Sequence, residues 1–309
     1  MRRHLVWRAL ALLLFVLPSS SQGQALTREQ LLFYTAEWQG ERYPDGRPRV
    51  PDDILQRMKV VSTEQAWGVL RGAGYHNQFE GGWKIIYPDQ PIIGRALTAF
   101  YVPARPELQK RMTDRGHEEG RIGAMNSWPI DMLEPGDVYV ADAFGKVADG
   151  TLIGDNLGNA IYARSGNGVV FDGSARDLEG LREIDGFNAF VRDWHPSYIQ
   201  EMMLLGVNVP VRIGVATVLP GDVVLAREEG VVFIPPHLAQ KVVETAEIVI
   251  LRDQFGHLRL REGVYTPGQI DTRWTDEIET DFSRWLEANK ASLPVPQSRV
   301  EELLKTRTW

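Results

Sequence analysis

Residues 152–177 read LIGDNLGNAIYARSGNGVVFDGSARD. An apolar pair leads into a turn at Gly154, and a helical run over residues 155–163 follows the turn. Residues 169–171 then form a short apolar run that ends at an Asp-Gly turn, which is typical of a buried strand. Because strand patterns alternate with helical ones, this stretch predicts a layered α/β domain.

The same alternation continues on both sides of this stretch. Strand patterns cover residues 92–102, 137–141, 209–213, 222–226 and 231–234. Helical patterns open at two capping boxes, TREQ at 27–30 (ending near Trp38) and STEQ at 62–65, and also cover residues 51–58, 236–250 and 275–290. The whole chain therefore fits one α/β class with helical segments at both ends.

Composition excludes several classes of protein. The chain has 309 residues, of which 43% are hydrophobic and 24% charged, so it is neither disordered nor fibrous. Its 41 acidic and 34 basic side chains give a net charge of -7, which argues against a general binder of nucleic acid. With no cysteine, the chain has no disulfide, zinc–thiolate site, iron–sulfur cluster or thiol nucleophile.

The N-terminal residues have the pattern of an export signal. A basic segment at residues 1–8 precedes an unbroken apolar run at 9–17 and a small, polar segment at 19–25. This order predicts a signal peptide over residues 1–25, cleaved after Gly23 or Ala25, and an exported protein, periplasmic or secreted. An uncleaved N-terminal anchor is the alternative interpretation. We expect no stable membrane association of the mature chain.

Two short segments carry the candidate chemistry. A glycine turn at Gly154 that opens a helix presents free backbone N–H groups, which bind carboxylate or phosphate. In the simpler interpretation, Asp155 only caps that helix. Downstream, Arg176 offers a planar fork for a carboxylate, and Asp177 offers oxygen ligands suited to Mg²⁺. The simpler interpretation of this second segment is a surface ion pair.

Together these segments resemble a known family. Gly154-Asp155, twenty further residues and then Arg176-Asp177 match the signature of the RraA-like family. That family includes the regulator of ribonuclease activity A and the divalent-metal-dependent 4-hydroxy-4-methyl-2-oxoglutarate aldolases. The same motif order continues in PGDV at 135–138, GVVFDG at 168–173, PVRIG at 210–214, PGDV at 220–223 and GVVFIP at 230–235.

The resemblance implies a fold and an assembly. It implies an α/β/α layered domain similar to the swivelling phosphohistidine domain, over residues 51–265. A helical N-terminal extension (26–50) and a helical C-terminal tail (266–309) would flank it. Family members assemble as homotrimers or homohexamers, with sites near subunit interfaces.

The resemblance also implies roles for individual residues. Asp177 would bind Mg²⁺ or Mn²⁺, and Arg176 with the backbone of residues 154–157 (Gly154, Asp155, Asn156 and Leu157) would hold the carboxylate of a 2-oxo acid. Asp155 would act as acid and base through a water molecule. The implied reaction is cleavage of a C–C bond to give pyruvate, by an aldolase or an oxaloacetate decarboxylase.

Two departures from the family pattern leave the substrate open. Arg227 and Glu229 stand in a turn where the family usually has two aspartates, and Asp193-Trp194-His195 replaces an expected glycine. His195 is either a catalytic base or sugar contact, or a loop residue packed under Trp194. The alternatives to a 2-oxo acid lyase are an exported lyase or hydratase acting on a sugar acid, and a non-catalytic binding protein.

Overall fold

The computed structural model describes residues 25–306, so nearly all of the predicted signal peptide lies outside the described residues. The helices are α1 (Arg28–Tyr34), α2 (Asp52–Met58), α3 (Thr63–Gly72), α4 (Pro106–Glu118), α5 (Asp155–Ser165), α6 (Leu178–Arg182), α7 (Pro236–Arg261), α8 (Pro267–Ile270), α9 (Asp276–Asn289) and α10 (Gln297–Leu303). The strands are β1 (Phe79–Glu80), β2 (Lys84–Ile85), β3 (Ile92–Pro103), β4 (Asp137–Thr151), β5 (Val169–Ala175), β6 (Ala189–Trp194), β7 (Met202–Val207), β8 (Val211–Ile213), β9 (Ala216–Val218), β10 (Val223–Arg227) and β11 (Gly230–Ile234). Within these residues, every helix is too short or too polar to cross a bilayer.

A nine-stranded mixed sheet organises the molecule. Its order is β1-β11-β10-β3-β4-β5-β6-β2, and β7 pairs with the second half of β3. Strands β3 to β6 run parallel to one another, while β10 and β7 run antiparallel to β3. The β4–α5–β5 connection is the strand–helix–strand unit predicted from residues 152–177. The prediction of a mixed α/β fold with a helical C-terminal extension is confirmed.

The two faces of the central strands pack against different elements. Side chains alternate along β4, so that Tyr139 lies in one apolar cluster with Ile161 of α5, and Val138 lies in another with Ile213 of β8. The face that carries α5 and α6 also holds the site described below. The opposite face meets the β8–β9 hairpin rather than a helix.

Both terminal segments are joined to the domain by their own contacts. In the N-terminal extension, Arg47 Nη2 lies 2.9 Å from Asp137 Oδ2, and the two side chains are 1% and 0% exposed. In the C-terminal tail, Phe282 of α9 packs against Phe255 of α7 with the ring centroids 5.3 Å apart. The tail therefore extends the fold through an apolar cluster of its own.

Several element boundaries differ from those predicted. Both capping boxes are formed. The first helix ends at Tyr34 rather than near Trp38, because Arg42 binds the backbone carbonyls of Thr35 and Trp38 and turns the chain away. The strand predicted over residues 209–213 begins only at Val211. Helix α7 continues past residue 250 to residue 261, because the tail covers the second half of its apolar face.

Candidate active site

The candidate site begins where β4 ends and α5 starts. Gly154 is the N-cap of α5 and provides no side-chain cap. The N–H of Asn156 donates to Asp155 Oδ1 at 2.8 Å, so Asp155 does cap one first-turn group. The first N–H groups of a helix have no intrahelical acceptor. Asp155 binds only the N–H of Asn156, so the other N–H groups in the first turn of α5 stay available to an anion.

Asp177 occupies the space above Gly154. A Cβ atom built on Gly154 would lie 2.2 Å from Asp177 Oδ2, so only glycine leaves room for this carboxylate. Asp177 itself adopts the left-handed conformation, with φ 55° and ψ 45°, immediately before α6. Aspartate and asparagine tolerate this conformation better than other residues with a side chain. Two local constraints therefore bring Asp177 to the start of α5.

Arg176 is fixed at the same point by its backbone. Its N–H donates to the carbonyl of Ile153 at 3.0 Å, which joins the end of β5 to the end of β4. Its Nε lies 3.4 Å from Asp177 Oδ2, and both side chains are 41% exposed. An ion pair this exposed contributes little to stability, so either group can exchange it for a ligand.

A loop after β6 forms the far wall of the site. Thr151 Oγ1 donates to the carbonyl of Ser197 at 2.5 Å, and the N–H of Asp149 donates to Ser197 Oγ at 2.7 Å. The N–H of His195 donates to the carbonyl of Ala175 at 3.1 Å. Both strands that lead to the site, β4 and β5, therefore hold this loop in place.

The imidazole of His195 serves the loop itself. Its Nδ1 accepts from the N–H of Ser197 at 3.2 Å and lies 2.9 Å from Ser197 Oγ. Because Nδ1 is already hydrogen-bonded within the loop, it is not available to a substrate. His195 is also not among the residues that line the cleft, which favours the loop interpretation over the catalytic one.

These elements enclose a cleft of about 90 Å³. All five residues predicted to bind substrate line it, namely Gly154, Asp155, Asn156, Leu157 and Arg176. Asp177 lies at its edge, against Gly154. Sequence reasoning missed the other walls, which are formed by Asn126, Thr151, Leu152, Ile153, Tyr198 and Ile199. The departure from the family pattern at residues 193–195 was the one signal that pointed towards Tyr198.

The donor set fits a hydrated hard cation. Among residues 25–306 no three His, Cys, Asp or Glu side chains converge as a metal cluster. Mg²⁺ commonly keeps several waters and uses one or two carboxylates together with its substrate. Asp177, with a half-exposed carboxylate over a glycine, fits that mode of binding and does not fit a closed cage of protein ligands.

The turn at residues 226–230, which departs from the family pattern, has a structural role in this chain and takes no part in the cleft. Arg227 Nε donates to the carbonyl of Val61 at 2.8 Å, and its guanidinium also binds the carbonyl of Lys59. Arg227 thus joins the β10–β11 hairpin to the segment after α2. Glu229 is exposed in the hairpin turn and does not line the cleft.

Comparison with known proteins identifies the family. The RraA-like family model, described as Aldolase/RraA, matches residues 60–233. The chain belongs to the RraA-like family. Its match to 4-hydroxy-4-methyl-2-oxoglutarate aldolase of Thermus thermophilus is 33% identical over 141 residues and covers 43% of this chain and 84% of the relative.

Two further relatives share larger parts of this RraA-like chain. Protein DlpA of Legionella pneumophila is 26% identical over 205 residues, which are 65% of this chain and only 31% of DlpA. The solved structure of Streptomyces coelicolor RraAS2, described as an unusual member of the RNase ES inhibitor RraA protein family, superposes with a TM-score of 0.59. That structure is 26% identical and covers 68% of this chain and 100% of its own.

Proposed function

We propose that this RraA-like protein is a divalent-metal-dependent lyase that cleaves a C–C bond of a 2-oxo acid and releases pyruvate. The observation that carries the proposal is the convergence of Asp177, Arg176 and the N-terminus of α5 at one cleft. The resemblance to an aldolase of the family supports the reaction class. We further propose that the protein is exported and acts as a homotrimer or homohexamer.

The chain's own residues divide the work of binding. The N–H groups of the first turn of α5 that Asp155 does not cap, together with the guanidinium of Arg176, hold the carboxylate of the 2-oxo acid. Asp155, at the start of α5, accepts a proton from the substrate hydroxyl through a water molecule and later returns it to pyruvate. Tyr198 and Ile199 limit the space for the leaving part of the substrate.

Asp177 is the metal-binding residue in this scheme. A bound Mg²⁺ or Mn²⁺ supplies Lewis-acid stabilisation of the negative charge that develops as the C–C bond breaks. The side chain of Asp177 is oriented by its left-handed backbone and by the bare Cα of Gly154. No lysine lines the cleft among the described residues, which favours a metal over a Schiff base.

Pyruvate release tests the proposal directly. The purified protein is given 4-hydroxy-4-methyl-2-oxoglutarate or oxaloacetate with Mg²⁺ or Mn²⁺, and the same reactions are repeated with EDTA. We expect metal-dependent release well above the rate given by the metal alone. No release from a folded, metal-loaded protein would refute the proposal for both substrates.

A sugar acid is the second candidate substrate. The side chain of Tyr198 is 58% exposed and lies in the cleft wall, and the loop that carries it departs from the family pattern. A phenol at this position can bind a hydroxyl of a longer polar substrate. Turnover of sugar acids with the same metal requirement, in the absence of pyruvate release, would favour this candidate.

Arg176→Lys should raise KM for the 2-oxo acid about tenfold, because a single ammonium cannot reproduce the two parallel hydrogen bonds of a guanidinium. Steady-state kinetics over a range of substrate concentrations measures the change. Arg182→Lys, on the exposed surface of α6, is the matched control and should keep the original KM. An unchanged KM in Arg176→Lys would place the carboxylate elsewhere.

Gly154→Ala should lower kcat/KM about 10²-fold, because a displacement of about 1 Å in a catalytic group has effects of this size. The added methyl group would lie 2.2 Å from Asp177 Oδ2 and force that carboxylate away. Gly68→Ala, in α3, meets no atom within 4 Å and serves as the control. Full activity of Gly154→Ala would contradict the assigned position of Asp177.

A further inference from the structure

A second and larger cavity lies between the N-terminal extension and the β10–β11 end of the sheet. Its volume is about 400 Å³, and it shares no lining residue with the cleft at Gly154. We call it the extension cavity, because Tyr34, Glu37 and Trp38 of the extension form one wall. Tyr75, Asp222 and His237 contribute to the other walls. Ligand pockets in proteins are commonly of this size.

The extension cavity lies only partly within the region that the family model matches. The family match covers residues 60–233, so the wall formed by the extension and His237 both lie outside it. Residues from the matched region, such as Tyr75 and Asp222, complete the enclosure. The cavity therefore arises where the added segment meets the family core.

The extension wall is held in a fixed conformation. Arg42 Nη2 donates to the carbonyls of Thr35 and Trp38, each at 2.8 Å, and Arg42 Nη1 donates to Thr35 Oγ1 at 2.7 Å. Trp38 Nε1 donates to the carbonyl of Glu41 at 2.8 Å. A wall fixed by this many hydrogen bonds is ordered before a ligand arrives, which lowers the entropic cost of binding.

The acidic side chains around the cavity suit a cationic ligand. Among the described residues its lining contains two acids, Glu37 and Asp222, and two histidines, His76 and His237, but no lysine or arginine. Asp222 is 2% exposed, and its Oδ1 has no hydrogen-bond partner in the described structure. Burial raises the pKa of Asp222 to about 8. A positive charge in the cavity would favour the ionised form of this carboxyl group.

Of the two histidines in the lining, His237 does not oppose such a ligand. Burial lowers the pKa of His237, and the nearby charge of Glu37 only partly offsets that effect. His237 is therefore uncharged at neutral pH. Its Nε2 lies 3.4 Å from the hydroxyl of Tyr75. The aromatic residues Tyr34, Trp38 and Tyr75 also line the cavity, and aromatic rings attract organic cations.

We propose that the extension cavity binds a small organic cation, an ammonium group carried on an apolar body, with Glu37 and the aromatic side chains as its partners. This site is separate from the proposed lyase site and does not depend on it. The apolar body accounts for the aromatic walls, and the ammonium group accounts for two acids in a lining without lysine or arginine among the described residues.

Calorimetric titration of the full chain with phenethylammonium chloride, and with neutral 2-phenylethanol as the matched probe, tests the proposal. We expect phenethylammonium to bind and 2-phenylethanol to bind at least about fivefold more weakly.

Glu37→Gln and Tyr34→Leu should each weaken phenethylammonium binding about fivefold. Both side chains are exposed, so neither change threatens folding. Glu228→Gln removes an exposed acid of the β10–β11 turn and should leave binding unchanged.

Three results would overturn the proposal. The first is equal binding of the ammonium compound and the alcohol, and the second is no binding of either. The third is an equal loss of binding in Glu37→Gln and Glu228→Gln, which would indicate a general charge effect. Pyruvate release by Glu37→Gln should match that of the unmodified protein, so that a failed cavity proposal remains distinguishable from a failed lyase proposal.

Discussion

Asp177→Asn should lower metal-dependent kcat/KM on the order of 10³-fold while the protein stays folded. The substitution removes the charge proposed to hold the cation but keeps the size of the side chain. Asparagine also tolerates the left-handed backbone found here, at φ 55°, so a loss of activity would not reflect backbone strain. Pyruvate release at saturating Mg²⁺ or Mn²⁺ measures the effect.

A neighbouring acid provides the control for this prediction. Glu179 is exposed on α6, two residues beyond Asp177, and Glu179→Gln changes the local charge by the same amount. We expect its activity to equal that of the unmodified protein. If Asp177→Asn kept most of its activity, or if both variants lost it equally, the assignment of Asp177 as the metal-binding residue would be wrong.

Arg47→Met should lower the free energy of unfolding by about 3–5 kcal/mol, because it leaves a buried carboxylate without its partner. Arg47 and Asp137 lie 2.9 Å apart with side chains 1% and 0% exposed. Asp137 Oδ2 also accepts the N–H of Glu134 at 2.9 Å, which fixes the turn into β4. Urea unfolding at one protein concentration measures the change.

The double variant separates charge from packing. Asp137→Asn removes the buried charge and keeps an oxygen for the turn, so Arg47→Met with Asp137→Asn should be more stable than Arg47→Met alone. Arg49→Met, which removes the exposed ion pair with Glu41, should change the unfolding free energy very little. If Arg47→Met were as stable as Arg49→Met, the buried pair would not anchor the N-terminal extension.

Local patterns in the sequence were sufficient for the core of the site. The strand–helix–strand pattern over residues 152–177 predicts α5 and β5, and the parallel pairing of β4 with β5 brings Gly154 beside Asp177. Glycine turns and capping boxes depend on neighbouring residues only. For this reason the predicted substrate-binding residues line one cleft.

Features that depend on distant contacts were missed. Helix α4 is mostly polar and buries only Gly116, and its apolar side chains Leu108 and Met112 are only partly buried, so its apolar pattern is sparse beside those of the other helices. Strand β7 is a continuous apolar run that is defined by pairing with β3. Tyr198 reaches the cleft because Thr151 and Asp149 bind its loop from nearly fifty residues away, and no local pattern encodes such a contact.

We propose that Asp177 holds a divalent metal beside the N-terminus of α5, where the substrate carboxylate would bind. Electron paramagnetic resonance of Mn²⁺ measures this directly, with and without oxalate as a planar dicarboxylate that mimics the pyruvate enolate. We expect about one Mn²⁺ per chain, bound more tightly with oxalate, and the loss of both effects in Asp177→Asn. Unchanged Mn²⁺ binding in Asp177→Asn would contradict it.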